Sequence, residues 1–183
     1  NIEIFNEDQV FLQNGVTLIN FKNLDKSYAL NSYGTPIWFS NINVVDLLVN
    51  GNIIGNVNWQ AYEIDLNGDI IFETPEPIWG NPLDWDYGMH HDFKKTTYGT
   101  YFGLINKFEM HDCPPECLDG SPEEVLWMGD QIYEFDHYGN IIWSWNTWDH
   151  IDTIEYNIWD AQHLVSSGTQ FDWTHANEVY IDE

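Results

Sequence analysis

Three similar motifs constrain the fold of this chain more than any other feature of its sequence. They read YALNSYGTPIWF at residues 28–39, YEIDLNGDIIF at 62–72 and YEFDHYGNIIW at 133–143. In each, an Asp or Asn precedes a glycine by three positions, and apolar β-forming residues follow the glycine. Asp and Asn cap tight turns, and glycine tolerates a positive φ. Each motif therefore predicts a β-hairpin with the glycine in its turn.

The spacing of the motifs indicates a fold built from repeats. The turn glycines Gly34, Gly68 and Gly139 are 34 and then 71 residues apart, and similar units at such intervals are typical of repeat architectures. Further strand candidates at 44–57 and 89–106 give each repeat about four strands, the number in one propeller blade. We therefore predict an all-β fold, a β-propeller segment of four-stranded antiparallel blades. A β-sandwich is the alternative, but it does not require similar hairpins at regular spacing.

The repeats also predict how the chain is organised. The expected parts are blades at residues 11–40, 41–78 and 86–146, an insertion loop at 110–125, and the first strand of a further blade at 171–183. Propellers close with about 4 to 8 blades. We therefore expect residues 1–183 to be one incomplete propeller domain, completed by the remaining blades of a longer protein or by a homo-oligomer partner. Asn1 at the first position also favours processing or a longer chain.

Charge and composition exclude several classes of partner. The chain is 43% hydrophobic and 16% aromatic, which is enough to form a core, but it has 30 acidic residues against five lysines and no arginine. A net charge of −25 argues against nucleic-acid binding, which depends on clustered Lys and Arg. It also disfavours an anionic membrane surface. No apolar run is long enough to predict a membrane span.

Two short segments supply the candidate site residues. MHHDF at 89–93 aligns with THANE at 174–178 when both are taken as first strands of blades, so His90 matches His175 and Asp92 matches Asn177. Alternate residues of a strand share a face, and the first strand of each propeller blade lines the central channel. His91 is predicted on the opposite face unless a β-bulge exchanges the two histidines. The alternative is that these histidines only satisfy buried hydrogen bonds.

These residues resemble a known family. MHHDF, YEFDHYGNIIWSW and DWTHAN together resemble the bacterial arylsulfate sulfotransferases, or arylsulfotransferases. The resemblance implies a six-bladed propeller exported to the periplasm or the extracellular space. It also implies transfer of a sulfuryl group from a phenolic sulfate ester to a phenol, with no cofactor. The expected partners are therefore a small-molecule aryl sulfate and a phenol.

The resemblance also implies roles for particular residues. It makes His90, His175 and Asn177 catalytic, the last two as contacts to the sulfuryl oxygens, with His91 and Asp92 as secondary candidates. The family's nucleophilic histidine and channel arginine correspond to positions beyond residue 183, so the chain alone is expected to be inactive. Such residue types suit the reaction, because preorganised donors stabilise the charge that develops on transferred oxygens. A non-catalytic propeller that serves as a binding or surface scaffold is the alternative function.

Two weaker motifs remain. Cys113 and Cys117 are the only cysteines and frame the segment CPPEC. Two ligands do not make a zinc site, and in an exported protein a local disulfide is the favoured state. DLNGD at 65–69 resembles the start of a calcium loop, but it lacks the Glu of the twelfth position and is predicted to be a plain hairpin turn. We predict no metal site.

Overall fold

The chain folds almost entirely into β-strands. A computed structural model describes residues 15–21, 24–114, 122–154 and 170–182. The strands among them are β1 (Thr17–Phe21), β2 (Lys26–Leu30), β3 (Pro36–Ser40), β4 (Asn43–Leu47), β5 (Ile53–Val57), β6 (Gln60–Ile64), β7 (Ile70–Glu73), β8 (Met89–Lys95), β9 (Tyr101–Asp112), β10 (Glu124–Phe135), β11 (Ile141–Asn146) and β12 (Phe171–Asp172). Helix in the same ranges is short: 3-10 turns at Pro82–Asp84 and Thr147–Asp149, and 3-10 conformation at Leu24. The prediction of an all-β fold is confirmed.

The strands form three sheets that follow chain order. The sheets are β1-β2-β3, β4-β5-β6-β7 and β8-β9-β10-β11, and β12 pairs with β10 in the third. Consecutive strands of the first and third sheets pair antiparallel, whereas β12 pairs with β10 in parallel. By compactness the described chain divides into two units. Unit 1 comprises residues up to Asn58 together with Tyr62–Ile71, and unit 2 comprises Trp59–Ala61 together with the residues from Phe72 onward.

The three predicted hairpin turns are equivalent in their hydrogen bonds. In each turn the N–H of the glycine donates to the carbonyl of the Asx residue three positions earlier, and the N–H of that Asx donates to the carbonyl four positions later. The Asx side chain then accepts two further backbone N–H groups at 2.8–3.0 Å. The glycines have φ of 74°, 92° and 83°. The predicted equivalence of Gly34, Gly68 and Gly139 is confirmed.

Two further turns have the same backbone hydrogen bonds but lack the Asp or Asn of the sequence motif. The segments Leu48–Asn52 and Thr96–Thr100 close with the same pair of backbone hydrogen bonds, and their glycines, Gly51 and Gly99, also have positive φ. Leu48 cannot cap its turn with a side-chain oxygen, and Thr96 caps with its hydroxyl instead of a carboxylate. The sequence comparison missed these turns because it required an Asp or Asn at the capping position.

Each unit has its own core. In unit 1 the buried residues are Ile42, Val44, Ile53 and Ile64, with Leu18, Trp38, Val57 and Tyr62 packed against them. In unit 2 the rings of Phe72 and Phe93 stack on Tyr101, with centroids 3.8 and 5.6 Å from it. A second cluster of unit 2 contains Trp127, Phe171 and Trp173. The aromatic residues therefore form much of the core of unit 2.

The longest hairpin of unit 2 is longer than the sequence predicts. Strands β9 and β10 pair continuously from Tyr101↔Phe135 to Asp112↔Glu124. Both ends of the loop expected at 110–125 are therefore strand. Residues 115–121, which include Cys117, lie outside the described residues, so the predicted Cys113–Cys117 disulfide stays a prediction. Within the described ranges, none of the helical elements has the length and apolar character to cross a membrane.

We expect Gly68→Ala to destabilise the fold by about 1 kcal/mol, because L residues are strained at positive φ. A Cβ at this position meets nothing within 4 Å, so the cost would be conformational and not steric. Gly15→Ala is the matched control, since its added Cβ also meets nothing and its φ is not in the left-handed region. Urea unfolding of both variants measures the difference. Equal stabilities for the two variants would show that the turn does not require glycine.

Candidate active site

A β-bulge in β8 sets the positions of the His-His-Asp segment. His90 pairs with Leu104 of β9, and the next pair is Phe93 with Gly103, so His91 and Asp92 are extra residues in β8. His91 has a φ of 55°, which is uncommon for a residue other than glycine. A bulge of this kind re-aims the side chains around it. His91 is exposed, whereas His90 and Asp92 are buried, with 8% and 6% of their side chains accessible.

The second candidate segment is not the strand that the sequence predicts. Of the residues from 171 to 182, only Phe171–Asp172 are strand, pairing with Trp127 and Met128 of β10. The backbone N–H of Trp173 donates to the carbonyl of Met128, and His175 then has a φ of 45°. This conformation is incompatible with continued extension of the strand. The expected inner strand at 171–183 therefore ends at Asp172 in the described chain.

The two segments bring His91 and His175 together. The ring centroids of His91 and His175 are 5.8 Å apart, and the ring centroid of His90 is 5.2 Å from that of His91. The sequence predicts His90 as the neighbour of His175, with His91 on the other face unless a β-bulge exchanges the two histidines. The structure corrects that geometry, because the bulge presents His91 and turns His90 inward. A catalytic role for His90 stays a prediction.

His175 is held by its neighbours on the same segment. Its Nδ1 contacts Oδ2 of Asp172, and 58% of the side chain is accessible, against 18% for Asp172. In the neutral tautomer that donates Nδ1–H to the carboxylate, Nε2 carries the lone pair. The side-chain amide of Asn177 donates to the carbonyl of His175 at 3.0 Å. The segment thus presents an oriented imidazole beside an exposed amide.

Asp130 of β10 contacts both the His-His-Asp segment of β8 and the segment that follows β12. Its Oδ1 lies 3.1 Å from Nε2 of His90, and its Oδ2 accepts from the hydroxyl of Thr174 and from the N–H of Ala176 at 2.8 Å. Burial by itself would raise the pKa of this carboxyl. The contacts with His90, Thr174 and Ala176 outweigh burial and hold the pKa of Asp130 below its ordinary value.

Asp92 makes a second connection. Its Oδ2 accepts from the N–H of Val179 at 3.0 Å, and its Oδ1 accepts from the N–H of Phe93 at 3.0 Å. Nζ of Lys94 lies 3.5 Å from the same Oδ1. Asp92 was predicted to face a channel, but in the structure it is buried against the backbone of the 174–179 segment.

Lysine side chains lie beside the site. Lys94 and Lys95 line a cleft of about 510 Å³ whose other wall is formed by residues 178–182. Nζ of Lys95 lies 5.1 Å above the ring of Tyr101. In a chain with only five lysines, this cleft brings two of them next to the His91 bulge. Across the described ranges, no group of three His, Cys, Asp or Glu side chains has the geometry of a metal site.

Comparison with known families identifies the chain. The sequence model of the Arylsulfotransferase (ASST) family matches residues 4–183. The chain belongs to the arylsulfotransferase family. A search of curated proteins gives no significant match. Membership supports arylsulfotransferase activity in general, with an aryl sulfate and a phenol as substrates.

Several residues of this candidate site could not be found by motif comparison. Asp130 lies in the segment WMGDQIY, where an acidic residue within an otherwise strand-like run was the only available signal. The positive φ of His91 and His175 has no sequence signal, since glycine and Asn are the residues expected at such positions. Asp172 belongs to the segment DWTHAN, but the sequence did not indicate its contact with His175, because that contact depends on the turn at His175.

We expect Asp130→Asn to reduce the loss of unfolding free energy that occurs as the pH falls. Since the folded pKa of Asp130 is lowered, its contribution to stability is present above the unfolded value of about 3.9 and is lost as the pH falls through the folded pKa. The difference in unfolding free energy between wild type and variant should therefore shrink from about pH 5 to about pH 3. Urea unfolding at several pH values measures it. A difference that stays constant over this range would contradict the assignment.

Proposed function

We propose that this arylsulfotransferase moves a sulfuryl group from a phenolic sulfate ester to a phenolic acceptor through a histidine intermediate. The observation that carries the proposal is the pair His91 and His175, whose rings lie 5.8 Å apart. Both histidines are exposed, and both have a positive φ. Strained backbone of this kind is concentrated at functional sites. Two imidazoles at this separation can contact the same sulfuryl group.

The proposed reaction has two balanced steps. A histidine nitrogen attacks the sulfur, the bond from sulfur to the donor phenol oxygen breaks, and the departing phenolate takes a proton. The acceptor phenol oxygen then attacks the sulfur and gives up its proton, while the nitrogen–sulfur bond breaks and the histidine is regenerated. Such a mechanism gives ping-pong kinetics. In this proposal the nucleophile is a histidine outside residues 1–183, and the residues of this chain contact the transferred group.

His91 and Asn177 then act as donors to the sulfuryl oxygens, and His175 does so in its protonated form, with Nδ1–H on Asp172 and Nε2–H on the ester. An imidazole N–H and an amide N–H are suitable donors, and removing one donor from a preorganised oxyanion site costs roughly 10²–10³ in rate. One N–H of the Asn177 amide is used on the carbonyl of His175, and an amide has a second N–H to offer. In this proposal His91 takes the place that the sequence alignment gave to His90.

The charge of the protein makes a local positive region necessary. A net charge of −25 repels an anionic sulfate ester at long range. The cleft beside the bulge contains Lys94 and Lys95, and a cation close to the ester can offset that repulsion locally. We propose that the ester enters along this cleft.

We also propose that the sheets are blades of a propeller, completed by further blades of the protein or by a second copy. The equivalent turns of successive sheets support this, as does family membership. The last strands β3, β7 and β11 also expose apolar side chains, including Phe39, Ile71 and Ile142, which favours packing against further sheets. Export to the periplasm or beyond is proposed from the resemblance alone, and cell fractionation with an antibody tests it.

We expect His175→Ala and His91→Ala each to lower kcat by about 10²-fold or more while leaving stability nearly unchanged. Both side chains are exposed, so neither contributes much to the core. The measurement is release of 4-nitrophenol from 4-nitrophenyl sulfate, with phenol as acceptor, by the protein encoded by the complete reading frame. His90→Ala should lower stability as well, because it removes the partner of buried Asp130.

His137→Ala is the matched control, because His137 is an exposed histidine of the same unit in the β10–β11 turn. It should retain wild-type activity. If His175→Ala and His91→Ala also retain it, the proposed site is wrong. If the wild-type protein transfers no sulfuryl group from any aryl sulfate tested, the scaffold function is supported instead.

A further inference from the structure

Segment 174–179 carries His175 and Asn177, and within the described ranges no backbone–backbone hydrogen bond of this segment is found. The parallel ladder to β10 ends at Asp172, and one more backbone bond follows at Trp173. Beyond that point, the hydrogen bonds found for the backbone N–H groups of Ala176 and Val179 go to carboxylate side chains. Carboxylate side chains therefore hold this segment in place, as backbone hydrogen bonds between strands do elsewhere in the sheet.

Asp130 holds both sides of His175. The hydroxyl of Thr174 and the N–H of Ala176 donate to the same oxygen, Oδ2. A residue with a positive φ persists only when its surroundings determine its conformation. Because Asp130 holds the residue before His175 and the residue after it, it can maintain the φ of 45° at that histidine.

Asp92 holds the same segment to the bulge. It follows His91 directly, and its Oδ2 accepts from the N–H of Val179. The other oxygen of Asp130 meets His90 on the opposite side of His91. Two contacts therefore connect the bulge with segment 174–179. One is made by Asp130 beside His90, which precedes His91, and the other by Asp92, which follows it.

Both carboxylates are buried, with 5% and 6% of their side chains accessible. Burying a carboxylate is costly unless it is paired and hydrogen-bonded. Hydrogen bonds from the 174–179 segment to both carboxylates, and from the N–H of Phe93 to Asp92, supply that compensation. Hydrogen bonds to ionised acceptors are also stronger than neutral ones, which makes these connections stiff.

We infer that Asp92 and Asp130 are positioning residues that fix the separation and orientation of His91 and His175. They do not reach the reacting atoms themselves. This inference rests on the proposed function for its consequence in catalysis, but the geometric part can be tested without activity. A misplacement of about 1 Å at a catalytic group can cost on the order of 10²-fold in rate.

The geometric test is amide hydrogen exchange followed by NMR in the full chain. Asp130→Ala should speed exchange at Ala176, and Asp92→Ala should speed it at Val179, each by about tenfold or more relative to amides of the sheet core. Asp130→Asn and Asp92→Asn keep an acceptor oxygen and should restore most of the protection. Asp86→Ala is the matched control, because Asp86 accepts from the hydroxyl of Tyr133, away from this segment, and it should leave both amides unchanged. Unchanged exchange at Ala176 and Val179 in the Asp130 and Asp92 variants would overturn the inference.

The catalytic test compares kcat and KM for 4-nitrophenyl sulfate in the protein from the complete reading frame. Asp130→Ala should lower kcat by on the order of 10²-fold with a smaller change in KM, and Asp130→Asn should recover most of the loss. Asp86→Ala, even if it lowers stability, should keep kcat near wild type under conditions where every variant is folded. If Asp130→Ala lowers kcat no more than Asp86→Ala does, the positioning role is wrong. If the wild type itself is inactive, the proposed function fails, and the exchange experiment alone decides the inference.

Discussion

The capped glycine turn is the constraint on which the rest of this structure depends. Each copy reverses the chain within a few residues and satisfies its own backbone groups, partly through the oxygen of a preceding Asx side chain. The hydrogen bonds to Asp65, above all from the N–H of Asp69, lower the pKa of that carboxyl and so favour the charged form of the cap. Because the turns are tight, consecutive strands pair with each other, and the sheets follow chain order. The site is then assembled on the first of these strands in unit 2.

The local part of this design could be read from the sequence. Asp65 and Gly68, like Asp136 and Gly139, are close in the chain, and the chemistry of the turn is contained within those few residues. The turn at Gly51 escaped the comparison because Leu48 occupies the capping position, although its glycine was visible. Strand bounds were less accurate. The β9–β10 hairpin extends into the predicted loop, since its two strands stay paired as far as Asp112 and Glu124.

The candidate residues were named from the sequence, but their arrangement was not, and their catalytic roles stay predictions. The predicted residues all lie in the segments that the structure brings together. Strict alternation puts His90 beside His175, whereas the bulge that the sequence analysis left open puts His91 there. The reason is that the bulge depends on contacts far apart in the chain. Asp92 and Val179 are 87 residues apart, and Asp130 and Thr174 are 44 apart. The alternation of residues along one strand gives no information about partners so distant in the chain.

The parallel pairing of β12 with β10 has a consequence for the order of folding. A capped hairpin closes a loop of about five residues, whereas the contact between Thr174 and Asp130 spans 44. Loop-closure entropy grows by about 0.6 kcal/mol for each doubling of length, so the second closure costs roughly 2 kcal/mol more. Hairpins form within microseconds, and long-range contacts form later. We therefore expect the sheets of unit 2 to form before the histidine pair is assembled, so that a newly made chain has its scaffold first.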